Sequence, residues 1–190
     1  MKTFITSDLH FGHKRIVEYC PATRGHFTSM DQMHESMIAE WNKQVTIDDT
    51  VYILGDVSFL PVHQTADILH RLNGTKILIE GNHDKRLMDE YKFRECFSAI
   101  HKYLEVTYKS IKLVMFHFPI YDHNGASRGS IMLHGHRHGE PTNLPGKIMD
   151  VGFDSTGQIV IDMDTVLDRM KDVPVLVHHA REQTQIQTNK

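Results

Sequence analysis

Short apolar runs closed by polar residues punctuate the chain. Residues 3–6 (TFIT), 51–54 (VYIL), 76–79 (KILI) and 131–133 read as β-strands. Residues 104–108 and 112–116 read as two more, joined by a Lys109-Ser110 turn. Between the first strands the period changes. Met33, Met37, Trp41 and Val45 recur at i, i+4 and predict an amphipathic helix over 30–45. Val62, Ala66, Leu69 and Leu72 predict a second, stopped by Asn73-Gly74. Residues 85–98 read as a third helix, and 164–171 as a short fourth. Residues 148–153 and 158–163 are expected to pair as a hairpin around Ser155-Thr156-Gly157. Alternating strands and helices in the first half predict an α/β fold. Neither a linker nor a repeat divides the chain, so residues 1–180 read as a single domain and 181–190 as a polar tail.

Composition narrows the function classes. A chain of 190 residues suits one domain, and 40% hydrophobic with 24% charged residues is ordinary for a globular protein. A formal net charge of −3 offers no basic field for long nucleic acid, while a small anionic substrate stays open if metals supply local positive charge. The start, MKTFITSDLH, meets Ser-Asp before a leader's apolar stretch could form, and no run approaches a membrane span. Cys20 and Cys96 lack metal-pair spacing and read as reduced thiols, so a cytoplasmic location is expected.

The 15 histidines matter through their placement. Five strands end and hand over, within a few residues, to Asp, Asn or His: Asp8 and His10, Asp56, Asn82 and His83, His117, and His136 with His138. Ligands in α/β sheets lie outside the carboxyl ends of strands, so these endings converge if the strands share one sheet or two facing sheets. Seven carboxylate, imidazole and amide donors exceed the four usual around one zinc, and point to two ions. Nitrogen and oxygen donors without thiolate suit transition ions: Mn first, with Fe, Zn, Ni or Co as alternatives. Two such ions form a known clamp for phosphoryl chemistry.

At these residues the sequence resembles the calcineurin-like metallophosphoesterase superfamily, in its small, uncapped bacterial and phage form. The matching blocks are Asp8-Leu9-His10, Gly55-Asp56, Gly81-Asn82-His83-Asp84, His117 and Gly135-His136-Arg137-His138. The resemblance implies a four-layer α-β-β-α sandwich of two mixed sheets, with the metals at the strand carboxyl ends. It implies that Asp8, His10, Asp56 and His138 hold one ion, and that Asp56, Asn82, His117 and His136 hold the other, with Asp56 bridging. His83 is then a general acid rather than a ligand, Asn82 also touches the phosphate, and a hydroxide between the ions attacks phosphorus. Protein phosphatases of this superfamily carry G-D-x-x-D-R-G. Here the stretch runs Gly55-Asp56-Val57-Ser58-Phe59-Leu60-Pro61, which argues against that role and leaves the partner orienting His83 unassigned.

His13, Arg24 and Arg137 are the candidate substrate contacts, and Asp154, ending an expected strand, is weakly placed to orient a ligand. His26, His34, His63, His70, His101 and His123 read as structural or solvated. The expected activity is hydrolysis of a small nucleotide-type phosphodiester or phosphomonoester, with diesters slightly favoured. A nuclease acting on DNA or RNA is the alternative, a non-catalytic scaffold of the same fold a more distant one, and a homodimer is left open.

Overall fold

A computed structural model of the chain describes residues 1–177; the expected tail at 181–190 lies outside them. In chain order the first half runs β1 (Thr3–Thr6), α1 (Ile16–Tyr19), α2 (Pro21–Arg24), α3 (Met30–Gln44), β2 (Thr50–Ile53), α4 (Val62–Arg71), β3 (Thr75–Ile79), α5 (Lys85–Met88), α6 (Tyr91–Arg94) and β4 (Ala99–His101). The second half runs β5 (Tyr103–Tyr108), β6 (Ile111–Phe116), β7 (Ile131–His134), β8 (Ile148–Asp150), α7 (Phe153–Thr156), β9 (Ile161–Asp162) and α8 (Met163–Met170).

The strands form two mixed sheets with flanking helices, as expected of an α-β-β-α sandwich. One sheet has the order β4-β3-β2-β1-β9, parallel except for β9 against β1. The other has the order β5-β6-β7-β8, parallel except for β5 against β6. Side-chain alternation along the first three strands explains why their runs are apolar throughout. Phe4, Val51, Ile53 and Leu78 face a core shared with Met33, Met37 and Trp41 of α3 and Leu69 of α4. Their neighbours Ile5, Leu54 and Ile79 face a second core with Leu113 and Met115 of β6 and Ile131 and Leu133 of β7. The sheets therefore stack face to face, and the carboxyl ends of β1, β2, β3, β6 and β7 open on one rim.

The long helix is well specified locally. Ser29 caps α3 by accepting from the Gln32 amide, and the Gln32 side chain accepts from the Thr28 amide at 2.7 Å, a variant of the capping box. The β5–β6 hairpin turns on Lys109 and Ser110, both at positive φ (46° and 67°), which matches a two-residue primed turn.

Two expected elements take another form. The 85–98 helix is two single turns, broken where Glu90 is extended (φ −95°, ψ 123°), and β4 follows. Leu87 and Phe93 are both fully buried. On one straight helix they would point about 120° apart, so the break helps to turn both inward. The hairpin over 148–163 does not form. Its arms lie in different sheets, β8 beside β7 and β9 beside β1. Val151 and Ile161 fill the core between the sheets, whereas Phe153, Ile159 and Val160 fill the outer one, so the segment crosses from sheet to sheet. Among the described residues no helix is long and apolar enough to cross a membrane.

Candidate metal centre

The five strand endings meet on the shared rim, and the backbone there is unusual. Asp8, His10, Asp56, His136 and His138 all have positive φ, between 48° and 71°. Few non-glycine residues adopt this region, and those that do cluster at functional sites. The glycines of the motifs make room for the carboxylates. A Cβ on Gly81 would strike Asp56 Oδ1, and one on Gly135 would strike Ser7 Oγ and Asp8 Oδ2.

The expected ligands form two groups, and a third group of Cys20, His138 and Asp154 shares His138 with the first. Asp8, His10 and His138 make the first, and Asp56, His117 and His136 the second; within each, the donor atoms lie inside 4.8 Å of one another. Asp56 Oδ2 is 3.5 Å from His10 Nε2 on one side and 3.5 Å from His117 Nε2 on the other. Asp8 Oδ1 lies 3.7 Å from both His10 Nε2 and His138 Nε2. Asn82 Oδ1 lies 2.9 Å from His117 Nε2. His117 Nδ1, 2.6 Å from the Leu54 carbonyl, donates to it. A neutral His117 thus aims an Nε2 lone pair at two oxygens that are themselves acceptors. Asp8 Oδ1 and both ring nitrogens of His10 are buried without a hydrogen-bond partner. Buried acceptors that converge on one another without a donor call for a cation, so the residues fit a metal.

Without metal, protons take that part. Burial disfavours charge on His117, but Asp56 outweighs it and raises the imidazole to about 8. Burial likewise opposes the Asp56 charge, yet His10 and His117 hold it well below the usual carboxylate range.

Behind the first group lies a buried ion network. Arg24 Nε and Nη2 donate to the two oxygens of Asp154 at 2.8 and 2.9 Å. Arg24 also donates to the carbonyls of Leu9 (2.8 Å) and Asp8 (2.6 Å), and Thr23 Oγ1 donates to Asp154 at 2.6 Å. His138 Nδ1 donates to Asp154 Oδ2 at 2.9 Å, which turns Nε2 toward Asp8. Arg24 has no exposed surface. This corrects its reading as a substrate contact: its guanidinium is spent on Asp154 and two carbonyls and supports the site from behind. Cys20 Sγ lies 3.8 Å from His138 Nδ1, but burial and Asp154 push its thiol up to about 12, so it remains a neutral thiol.

His83 is half-exposed, its Nε2 3.9 Å from Asp56 Oδ2, and its amide donates to Asp56 Oδ1 at 2.9 Å. Asp84 does not orient it. The Asp84 carboxylate accepts the amides of Asp56, Val57 and Gly81, each at 2.9 Å, and clamps the β2 and β3 endings together. A cavity of about 620 Å³ opens beside these groups and includes His13, His83 and Arg137, so two of the three candidate substrate contacts border it. His34, read as structural, accepts the Gly12 amide at 2.8 Å and anchors the loop after His10. Sequence reasoning missed Phe59, whose ring stacks on His10 at 5.2 Å; a lone Phe in a loop carries no signal for this. Asp154, read from the sequence as able to orient a ligand, contacts His138, but its pairing with Arg24, 130 positions away, carries no local signal.

Residues 1–184 match the family described as calcineurin-like phosphoesterase. An uncharacterized protein of Methanocaldococcus jannaschii is 33% identical over 72% of this chain and 69% of its own length. The gene 66 protein of Mycobacterium phage L5 is 29% identical over 98% of this chain and 99% of its own. Among solved structures, a protein of unknown function from Aquifex aeolicus shares the fold, with a TM-score of 0.70 at 21% identity, covering 88% of this chain and 98% of that one.

Proposed function

Because the chain belongs to the calcineurin-like phosphoesterase family and is a metal-dependent phosphate ester hydrolase, we propose that it cleaves small phosphodiesters or phosphomonoesters of nucleotide type at a pair of divalent ions. Asp8, His10, Asp56 and His138 would hold one ion, and Asp56, Asn82, His117 and His136 the other. The observation that carries this reading is Asp56 Oδ2, equidistant at 3.5 Å from a histidine of each group. Manganese comes first among the candidate ions, because the proposed donors are nitrogen and oxygen. When bound, the ions neutralise phosphate charge and make water nucleophilic near neutral pH.

The chain's own residues supply the rest. His83 stands at the cavity, free to reach a leaving oxygen and give it a proton as the P–O bond breaks. Its backbone amide holds Asp56 Oδ1, which keeps Oδ2 turned to both groups. Asn82 is fixed beside His117, at the edge where a phosphate oxygen arrives. His13 and Arg137 border the same cavity and are the substrate contacts of this reading.

The test is a pair of variants assayed with Mn²⁺ on p-nitrophenyl phosphate and bis(p-nitrophenyl) phosphate, and on phenyl phosphate and diphenyl phosphate. His83→Ala keeps two ions per chain and loses about 10²- to 10⁴-fold in kcat on phenyl phosphate and diphenyl phosphate, whose leaving oxygen needs the proton, and far less on the p-nitrophenyl esters. Asp56→Ala loses metal as well as turnover. Metal loss in the His83 variant would remove it from the role of acid, and inertness of the wild type toward all four esters would overturn the catalytic reading.

A further inference from the structure

The proposed ligands account for the polar side of the site but not for two phenyl rings beside it. Phe59 stacks on His10 (5.2 Å between centroids, 29° between planes) and lies 4.9 Å from His83. Phe118 lies 4.6 Å from His136 and 5.0 Å from His117. One ring therefore flanks each group of candidate ligands. The row at Phe59 continues outward, and the one at Phe118 continues inward. Beyond Phe59 come His13 at 4.5 Å and then Tyr19 at 5.9 Å from His13, with Tyr19 57% exposed. Behind Phe118 lies Phe116 at 5.7 Å, and Phe118 itself is 37% exposed.

These rings are held in place. The Phe59 amide donates to the Phe11 carbonyl at 2.8 Å, next to the bridge between Phe11 and Ser58. Phe118 follows His117, whose ring is tied to Leu54. Phosphate gains nothing from an exposed phenyl face, whereas a flat aromatic group does, by stacking. The cavity of about 620 Å³ on the Phe59 side is within the range that takes a drug-sized group. A monoester has one organic group and would use one row; a diester has two. The net charge of −3 speaks for a short diester over a long polyanion.

We propose that Phe59 and Phe118 form two aromatic subsites, one on each side of the reacting phosphate, and that the substrate is a small phosphodiester carrying a planar ring of the aryl or nucleobase class on both ester groups. This rests on the hydrolase reading above and resolves its choice between monoester and diester.

The experiment uses three diesters with one leaving group: the methyl, phenyl and thymidine-5′ esters of p-nitrophenyl phosphate, with the manganese-loaded protein. Phenyl and thymidine esters are expected to exceed the methyl ester by about 5- to 150-fold in kcat/KM, through KM. Phe118→Leu shrinks that preference toward unity. Phe59→Leu raises KM for all three alike, since they share the p-nitrophenyl ring. Calorimetric titration of the wild type with diphenyl phosphate against dimethyl phosphate makes the comparison from binding, without variants, and the diphenyl ester binds more tightly. Equal kcat/KM for methyl and phenyl esters overturns the proposal and leaves the hydrolase reading standing. So does a preference unchanged in Phe118→Leu, or turnover of monoesters alone. Absence of all hydrolysis overturns both.

Discussion

The two halves of the candidate metal centre are secured by different means. His138, in the group with Asp8 and His10, is oriented by a buried carboxylate that Arg24 and Thr23 hold in turn. His117, in the group with Asp56 and His136, is oriented by a backbone carbonyl. His136 has a phenyl ring beside it. One half is built on charge recruited from distant parts of the chain, the other on main chain and packing. The charged half should therefore answer to substitution behind it, and the other half to protons.

The largest effect is expected from the deepest residue. Arg24→Met leaves Asp154 without its cation and two carbonyls without donors. Such a loss costs about 3–5 kcal/mol. Chemical denaturation of the metal-free protein reads it directly; a loss within error of zero would reduce Arg24 to filler. Asp154→Asn comes next. It keeps the volume but removes the charge behind His138, so one of two metal-binding events weakens by about 10- to 100-fold and the other does not. Calorimetry with Mn²⁺ separates the two, and equal weakening of both would erase the contrast between the halves.

The pH response is the smallest, and its larger part belongs to the other half; in the charged half burial opposes the charge, but Asp56 and Asp8 also raise His10. Pairing with Asp56 raises His117 from its ordinary value to about 8. The protonated pair thus stabilises the metal-free protein fully below about pH 6.5, by roughly 2 kcal/mol, and this is lost as pH rises through about 8. Metal displaces that proton, so affinity climbs with pH up to about 8 and then levels. Melting curves at pH 6.5 and 8.5, with and without Mn²⁺, check the sign: the metal-free Tm falls and the metal-loaded Tm does not.

What was legible in the sequence divides along similar lines. The endings of β1, β2, β3, β6 and β7 could be read because each is local: an apolar strand, then a polar ligand type within a few residues. The helix at α3 could be read because its buried Met33, Met37 and Trp41 keep one period. The Arg24–Asp154 pair could not, because it joins residues 130 positions apart, through a segment that crosses between sheets instead of turning back as a hairpin. Arg24 in a polar loop looks like any surface cation until its burial is known. The break at Glu90 was hidden for a related reason, since only the surrounding core requires Leu87 and Phe93 to point the same way.

The left-handed backbone at Asp8, His10, Asp56, His136 and His138 also sets a trade-off between folding and function. Such a residue is disfavoured relative to glycine by at most about 1–2 kcal/mol, less for Asp and His, and five together are still a sizeable part of the net stability of an ordinary domain, about 5–15 kcal/mol. Selection for stability alone would replace these residues with glycine, relax the rim and delete the ligands. The chain would fold more readily without the site that gives it a use.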